Sequence, residues 1–155
     1  MQLFDSHCHL DDTTYEKDRA EVLRRAARSG VTRAMIVGVN RETSFRAVDI
    51  AASGTGLYAA VGIHPHDSAA CSQKDLADLA RLSSKPEVRA WGEIGLDFNR
   101  MYASRKDQEK CFVRQLEMAG PLSLPFIFHE RDSRGRFLEV LKAHFSKGLQ
   151  GVVHC

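Results

Sequence analysis

The chain alternates short apolar runs with longer stretches in which apolar residues recur every three or four positions. Six apolar runs read as strands, at residues 2–7, 33–39, 57–63, 88–93, 125–129 and 151–154. The second and third contain Ala34-Met35-Ile36-Val37 and Tyr58-Ala59-Ala60-Val61. These are continuous rather than alternating, as expected of strands covered on both faces. Five helices are predicted between the strands, at 15–29, 41–53, 73–83, 105–119 and 134–146. The first places Val22, Leu23, Ala26 and Ala27 on one face, with Arg24, Arg25 and Arg28 late against its dipole and Gly30 as a cap. Ser72-x-x-Asp75 and Ser104-x-x-Asp107 open the third and fourth as near-matches to the capping box. The fourth buries Cys111, Phe112, Gln115, Leu116 and Ala119 and stops at Gly120-Pro121. The fifth uses Phe137, Leu138, Leu141 and Phe145, with Gly148 beyond it.

Strands that alternate with helices predict a parallel sheet with right-handed crossovers. A doubly wound open sheet and a (β/α) barrel both satisfy that pattern. A dinucleotide fold would carry G-x-G-x-x-G after its first strand, and this chain has Asp5-Ser6-His7-Cys8-His9 there. Polar residues ending four separate strands suit a barrel rim better. The 155 residues fit a single domain, 1–155, holding about six of the eight strands of a TIM-type barrel, which takes about 250 residues.

Apolar residues make up 43% of the chain and charged residues 27%, enough for both a core and a solvated surface. A net charge of +2 is too small to argue for nucleic acid by itself. No apolar stretch is long enough to span a bilayer, and the N-terminus lacks the basic-then-apolar pattern of a signal peptide. Cys8, Cys71, Cys111 and Cys155 are far apart and form no C-x-x-C, so reduced thiols and a cytoplasmic location are expected.

The sharpest chemical signal is His7-x-His9. Two imidazoles two apart on a strand point the same way and can share a divalent ion, while Cys8 points oppositely. The bland alternative is a histidine pair with no metal. Gly92-Glu93-Ile94-Gly95-Leu96-Asp97 puts a carboxylate at the end of an apolar run. Glu93 can bridge two ions, or be a salt-bridged strand end. Asp97 is either a support that turns a ligand histidine or a turn former. His129 and His154 end strand-like runs. Alone, each would more often be a core histidine, but both sit at the same topological position as His7, His9 and Glu93. His64-Pro65-His66 follows the third strand on the same rim, where substrate contact or an extra ligand role fits. Arg131 and Arg134 lie where a phosphate would be met, or simply open an exposed helix. Cys8 and Cys155 are expected to be packing residues, and His144 a structural one.

Taken together, Asp5-Ser6-His7-Cys8-His9-Leu10, Gly62-Ile63-His64-Pro65-His66, the Gly92–Asp97 segment, His129-x-Arg131-Asp132 and Val153-His154-Cys155 resemble the successive motifs of the TatD-type metal-dependent deoxyribonucleases, within the amidohydrolase-like metallohydrolases. That resemblance implies a TIM-type barrel with two divalent ions (zinc, manganese or magnesium). His7 and His9 would hold one ion and His129 with His154 the other, with Glu93 as the bridging catalytic carboxylate. It also implies phosphodiester hydrolysis, often 3′ to 5′, on DNA that is single-stranded or offers 3′ ends. Substrate contacts would then fall to His64, His66 and Arg131. Family members continue for roughly two more βα units, and their last metal aspartate has no counterpart here. The chain is therefore expected to be truncated, impaired and prone to self-association through its open edges, whereas a full-length form would be a monomer. Two other readings stay open. One is a carbonyl-bond hydrolase of the same superfamily, such as an aminoacyl-tRNA ester hydrolase. The other is a non-catalytic remnant or interaction protein.

Overall fold

The computed structural model describes residues 1–144 and 150–155. Six strands form one parallel sheet: β1 (Leu3–Cys8), β2 (Val31–Val37), β3 (Leu57–Val61), β4 (Val88–Asp97), β5 (Phe126–Arg131) and β6 (Gly151–His154). Their spatial order is their order in the chain, so each crossover returns beside the strand it left. The connecting helices are α1 (Arg19–Arg28), α2 (Arg41–Ala52), α3 (Gln73–Leu82), α4 (Arg105–Ala119) and α5 (Arg136–His144). This is a curled half-barrel of the TIM-type (β/α) class.

Strand alternation sorts the core into two layers. Ile36, Ala59, Val61, Trp91, Phe126 and Phe128 face the helices and join the main cluster. Met35, Val37, Ala60, Ala90 and Ile127 face the other way and form a smaller one. Phe112 of α4 stacks on Phe137 of α5, with ring centroids 5.4 Å apart, and both meet Phe128 edge-on.

Several local expectations hold. Ser72 and Asp75 form a reciprocal capping box at α3. Ser104 caps α4 by accepting from the Asp107 N–H at 3.1 Å. Gly30 ends α1 with φ +94°. Others shift. The first helical segment breaks into a 3-10 turn, Thr13–Tyr15, before α1 begins. Gly120 stays right-handed and runs into another 3-10 turn, Gly120–Leu122, so the left-handed residue that ends the region is Ser123. Leu138, expected on the buried face of α5, is exposed, because α5 sits at the sheet's edge and packs only its Phe137–Val140 side. Phe145 and Gly148, and the end of the predicted helix at 146, lie outside the described residues.

The largest difference is in β4. The chain was expected to leave the strand at Glu93, yet pairing continues to Asp97. The register slips between Trp91 and Ile94 and then resumes with Gly95 opposite His129 and Asp97 opposite Arg131. Gly95 makes this possible with φ +147°, a conformation L side chains rarely adopt. A Cβ at Gly95 would overlap the carbonyl oxygen of His129.

Candidate metal centre

The candidate residues gather at the C-terminal ends of the strands. On β5, Phe126 and Phe128 face the helices and Ile127 faces away from them, so His129 points inward with Ile127. On β6, His154 lies in register with His129. The register slip in β4 brings Glu93 onto the same side, where its N–H donates to the Gly38 carbonyl at 3.1 Å.

Glu93 is the centre of the arrangement and only 2% exposed. Its Oε1 accepts from His129 Nδ1 at 2.8 Å and from His154 Nε2 at 2.6 Å. His64 Nε2 approaches Oε1 to 3.8 Å, and His7 Nε2 approaches Oε2 to 3.3 Å. Burial alone would raise the carboxyl's pKa. The hydrogen bond from His129 and the nearness of His7 and His64 outweigh it and hold Glu93 ionised. His129 answers in kind. Burial opposes its charging, but its bond to Glu93 and its 3.3 Å approach to Asp97 raise its pKa. His64, buried with less compensation, is held neutral, down to about 3.

Asp97 supports this layer. It is fully buried, and its Oδ2 accepts from His66 Nε2 at 2.7 Å. Its Oδ1 accepts from the backbone N–H groups of Asn99 and Arg100 at 3.0 and 2.8 Å. Burial would raise the pKa of Asp97, but the Arg100 N–H, His66 and the Asn99 N–H bring it down to about 2. From α4, the Gln108 amide grips the Asp97 peptide from both sides, at 2.8 Å to its N–H and 2.9 Å to its C=O. Gln115 does the same at Ile63, the residue before His64, with both bonds at 2.8 Å. Sequence reasoning placed Gln115 on the buried face without a task and passed over Gln108. Two glutamines two turns apart on an apolar stripe were the available signal.

Of the expected substrate contacts, His64 joins the Glu93 cluster and His66 pairs with Asp97. Arg131 is half-buried at the end of β5 in register with Asp97, and its carbonyl accepts from the Phe98 N–H at 2.8 Å. Arg134 sits further out in an exposed turn with φ +53°. Tyr102, unremarked in the sequence, is 67% exposed and meets His66 edge-on, with ring centroids 4.7 Å apart. Cys8 points away from the site, as alternation requires, and donates to the Met35 carbonyl at 3.3 Å. Cys155 is exposed after the edge strand and does not pack, contrary to expectation. His144 lies away from the centre, 3.8 Å from Glu117.

Among the described residues, two groups each have donor atoms within 4.8 Å of one another: His7, His9 and Glu93, and His64, Glu93 and His129. Glu93 belongs to both. Further details fit divalent ions at these sets. The His9 Nδ1 is 2.9 Å from the Val37 carbonyl, which can only accept. Nδ1 therefore donates, which directs Nε2 to any ligand role. The His7 Nε2 is buried and makes no hydrogen bond. A buried carboxylate ringed by imidazoles needs positive charge, from protons or from metal.

A protein-family model described as TatD related DNase matches residues 4–155. The chain belongs to this family. It is 37% identical over 153 residues to the 3′-5′ ssDNA/RNA exonuclease TatD of Cronobacter turicensis, covering 99% of this chain and 58% of that protein. It is 35% identical to the uncharacterized metal-dependent hydrolase YabD of Bacillus subtilis, covering 99% of this chain and 60% of that one. A crystal structure of a TatD family hydrolase from Entamoeba histolytica superposes on the whole chain with a TM-score of 0.89 at 28% identity, using 58% of its own length. The chain therefore spans about three-fifths of the TatD relatives it matches. No described helix is long and apolar enough to cross a membrane.

Proposed function

We propose that this TatD-family chain carries the metal centre of a divalent-metal-dependent phosphodiester hydrolase that acts on DNA from 3′ ends, with a preference for single strands. The observation that carries this reading is the buried Glu93 carboxylate shared by two donor sets. His7 and His9 would hold one ion, and His129, with His64 or His154, a second. When bound, such ions supply positive charge to phosphoryl oxygens and acidify a water nucleophile.

The chain's own residues would do the rest. Glu93 holds the imidazoles in one cluster. Asp97 fixes the ring of His66 through its Nε2. Arg131 at the rim offers a guanidinium to the phosphate backbone. Tyr102, exposed beside His66, offers a face on which an unpaired base can stack, a contact typically worth about 1–3 kcal/mol and denied to a base within a duplex.

The test is an assay of purified protein with manganese, magnesium or zinc on 5′-labelled single-stranded DNA with free or blocked 3′ ends, and on the matching duplex. Stepwise shortening of the free single strand is expected. Glu93→Gln should fold normally and lose several orders of magnitude in rate. Arg131→Ala should weaken binding and lower the salt slope by about one. Cleavage unchanged in Glu93→Gln would refute the reading. So would turnover of an aminoacyl-tRNA ester with none of the oligonucleotide.

A further inference from the structure

Away from Glu93, two cysteines are brought together that lie far apart in the chain. Cys71 follows the 3-10 helix Pro65–Ala70, the segment that begins at His64, and is half-buried. Cys111 is buried on α4, which packs against that same segment. The two thiols are near enough that each is the largest influence on the other's proton. Arg114, one turn beyond Cys111, reaches across the pair. Its Nη1 donates to the Cys71 carbonyl at 3.0 Å and lies 4.0 Å from the Cys71 sulfur, while its Nη2 donates to Gln73 at 2.8 Å.

The two sulfurs are electrically unlike. The neighbouring Cys111 thiol holds the Cys71 thiol below its usual range; burial opposes this, Arg114 and Lys110 assist, and Asp75 works against them. Cys111 is pushed far up by Cys71 and by burial, so it keeps its proton. One sulfur is suited to attack and its partner to follow, which is the usual arrangement of a reactive and a resolving thiol. The other cysteines lack this setting. Cys8 bonds a backbone carbonyl and its thiol is pushed up to about 11 by burial, and Cys155 is exposed at the chain's edge.

We propose that Cys71 and Cys111 are an oxidation site that hydrogen peroxide converts to a disulfide, clamping the segment that begins at His64 onto α4. The Cys71 thiolate attacks one peroxide oxygen. The O–O bond breaks, the other oxygen leaves and takes up a proton as water, and Cys71 becomes a sulfenic acid. Cys111 then loses its proton as its sulfur attacks that of Cys71. The S–S bond forms, the S–O bond breaks, and a second water departs. Two thiols are oxidised and one peroxide is reduced to two waters.

The clamp follows from what already holds the other end. Gln115 bonds both polar groups of the Ile63 backbone, and its Nε2 also donates to the Cys111 sulfur at 3.3 Å. The disulfide would fix residue 71 to the helix that already fixes residue 63, so the intervening histidine segment would be held at both ends.

The experiment treats the reduced full chain with hydrogen peroxide in the presence of a chelator. The expected result is a single denatured chain lighter by two hydrogens, a linked Cys71–Cys111 peptide, loss of alkylation at both positions and reversal by dithiothreitol. Cys111→Ser should leave a sulfenic acid at Cys71 that dimedone traps. Amide exchange over residues 64–71 should slow severalfold in the oxidised form. If Cys71 and Cys111 remain alkylatable while exposed Cys155 is oxidised, the site is refuted. A bridge that leaves exchange over 64–71 unchanged refutes the clamp. Neither readout depends on hydrolytic activity, so the result is separable from the nuclease reading.

Discussion

At the scale of single residues, Gly95 and His64 are the most exposed to test. Gly95 holds φ +147° against the His129 carbonyl. Gly95→Ala is expected to lose at least ~2 kcal/mol in urea unfolding, since left-handed strain alone costs about 1–3 kcal/mol and the overlap adds to it. A loss below ~0.5 kcal/mol would mean that β4 relaxes freely. His64 makes a pH prediction for the metal-free protein. Burial holds its ring neutral down to about 3, while an unfolded histidine takes a proton near 6.5. Between those values the unfolded chain binds the extra proton, so stability falls as pH falls, by up to about 1.4 kcal/mol per unit from this group. His129, raised instead, contributes stability below its ordinary value that is lost at higher pH, so the two act in different windows. With chelator present, His64→Gln should show a shallower decline in Tm between pH 6.5 and 5; a parallel decline would remove His64 as the cause.

At the scale of elements, α4 both shapes the core and holds the site. Its glutamines satisfy the backbone at Asp97 and Ile63, where β4 ends and the histidine segment begins. Gln108→Leu should strand the Asp97 N–H and C=O and cost about 1–3 kcal/mol, measured by denaturant unfolding. A neutral change would show that water replaces the amide. The same helix illustrates what the sequence could and could not reveal. The apolar stripe of α4 and the continuous strands β2 and β3 follow from periodicity, because burial dictates residue type, and the histidines near the ends of β1, β5 and β6 follow from where the apolar runs stop. The extension of β4 to Asp97 does not, because it depends on a register slip and a left-handed glycine that only the neighbouring strand defines. Asn40 and Thr43 form a full capping box at α2 that a search for acidic partners overlooks. For His64 the sequence left substrate contact and an extra ligand role both open, since its entry into the Glu93 cluster depends on how a proline-stiffened loop folds over the rim.

At the scale of the whole molecule, the two edges of the sheet are β1 and β6, and both expose apolar side chains, including Phe4 at 49% and Val152 at 60%. Such edges invite strand pairing. The 155-residue chain by itself is expected to scatter light as oligomers, and Phe4→Lys with Val152→Lys should shift it toward monomer. A monodisperse wild-type monomer would contradict this. These same edges also meet. His7 of β1 and His154 of β6 bring their rings to 4.1 Å beside Glu93, so the first and last strands converge on one carboxylate. A cation bound there would join the first and last strands, and its affinity would become part of the folding equilibrium. At a hundredfold excess over Kd, that linkage is worth about 2.7 kcal/mol. Chelation should therefore lower Tm and speed amide exchange first in β1 and β6, with β3 unaffected. The ion would act as a clasp, and its loss would fray the outermost strands before it loosened the core.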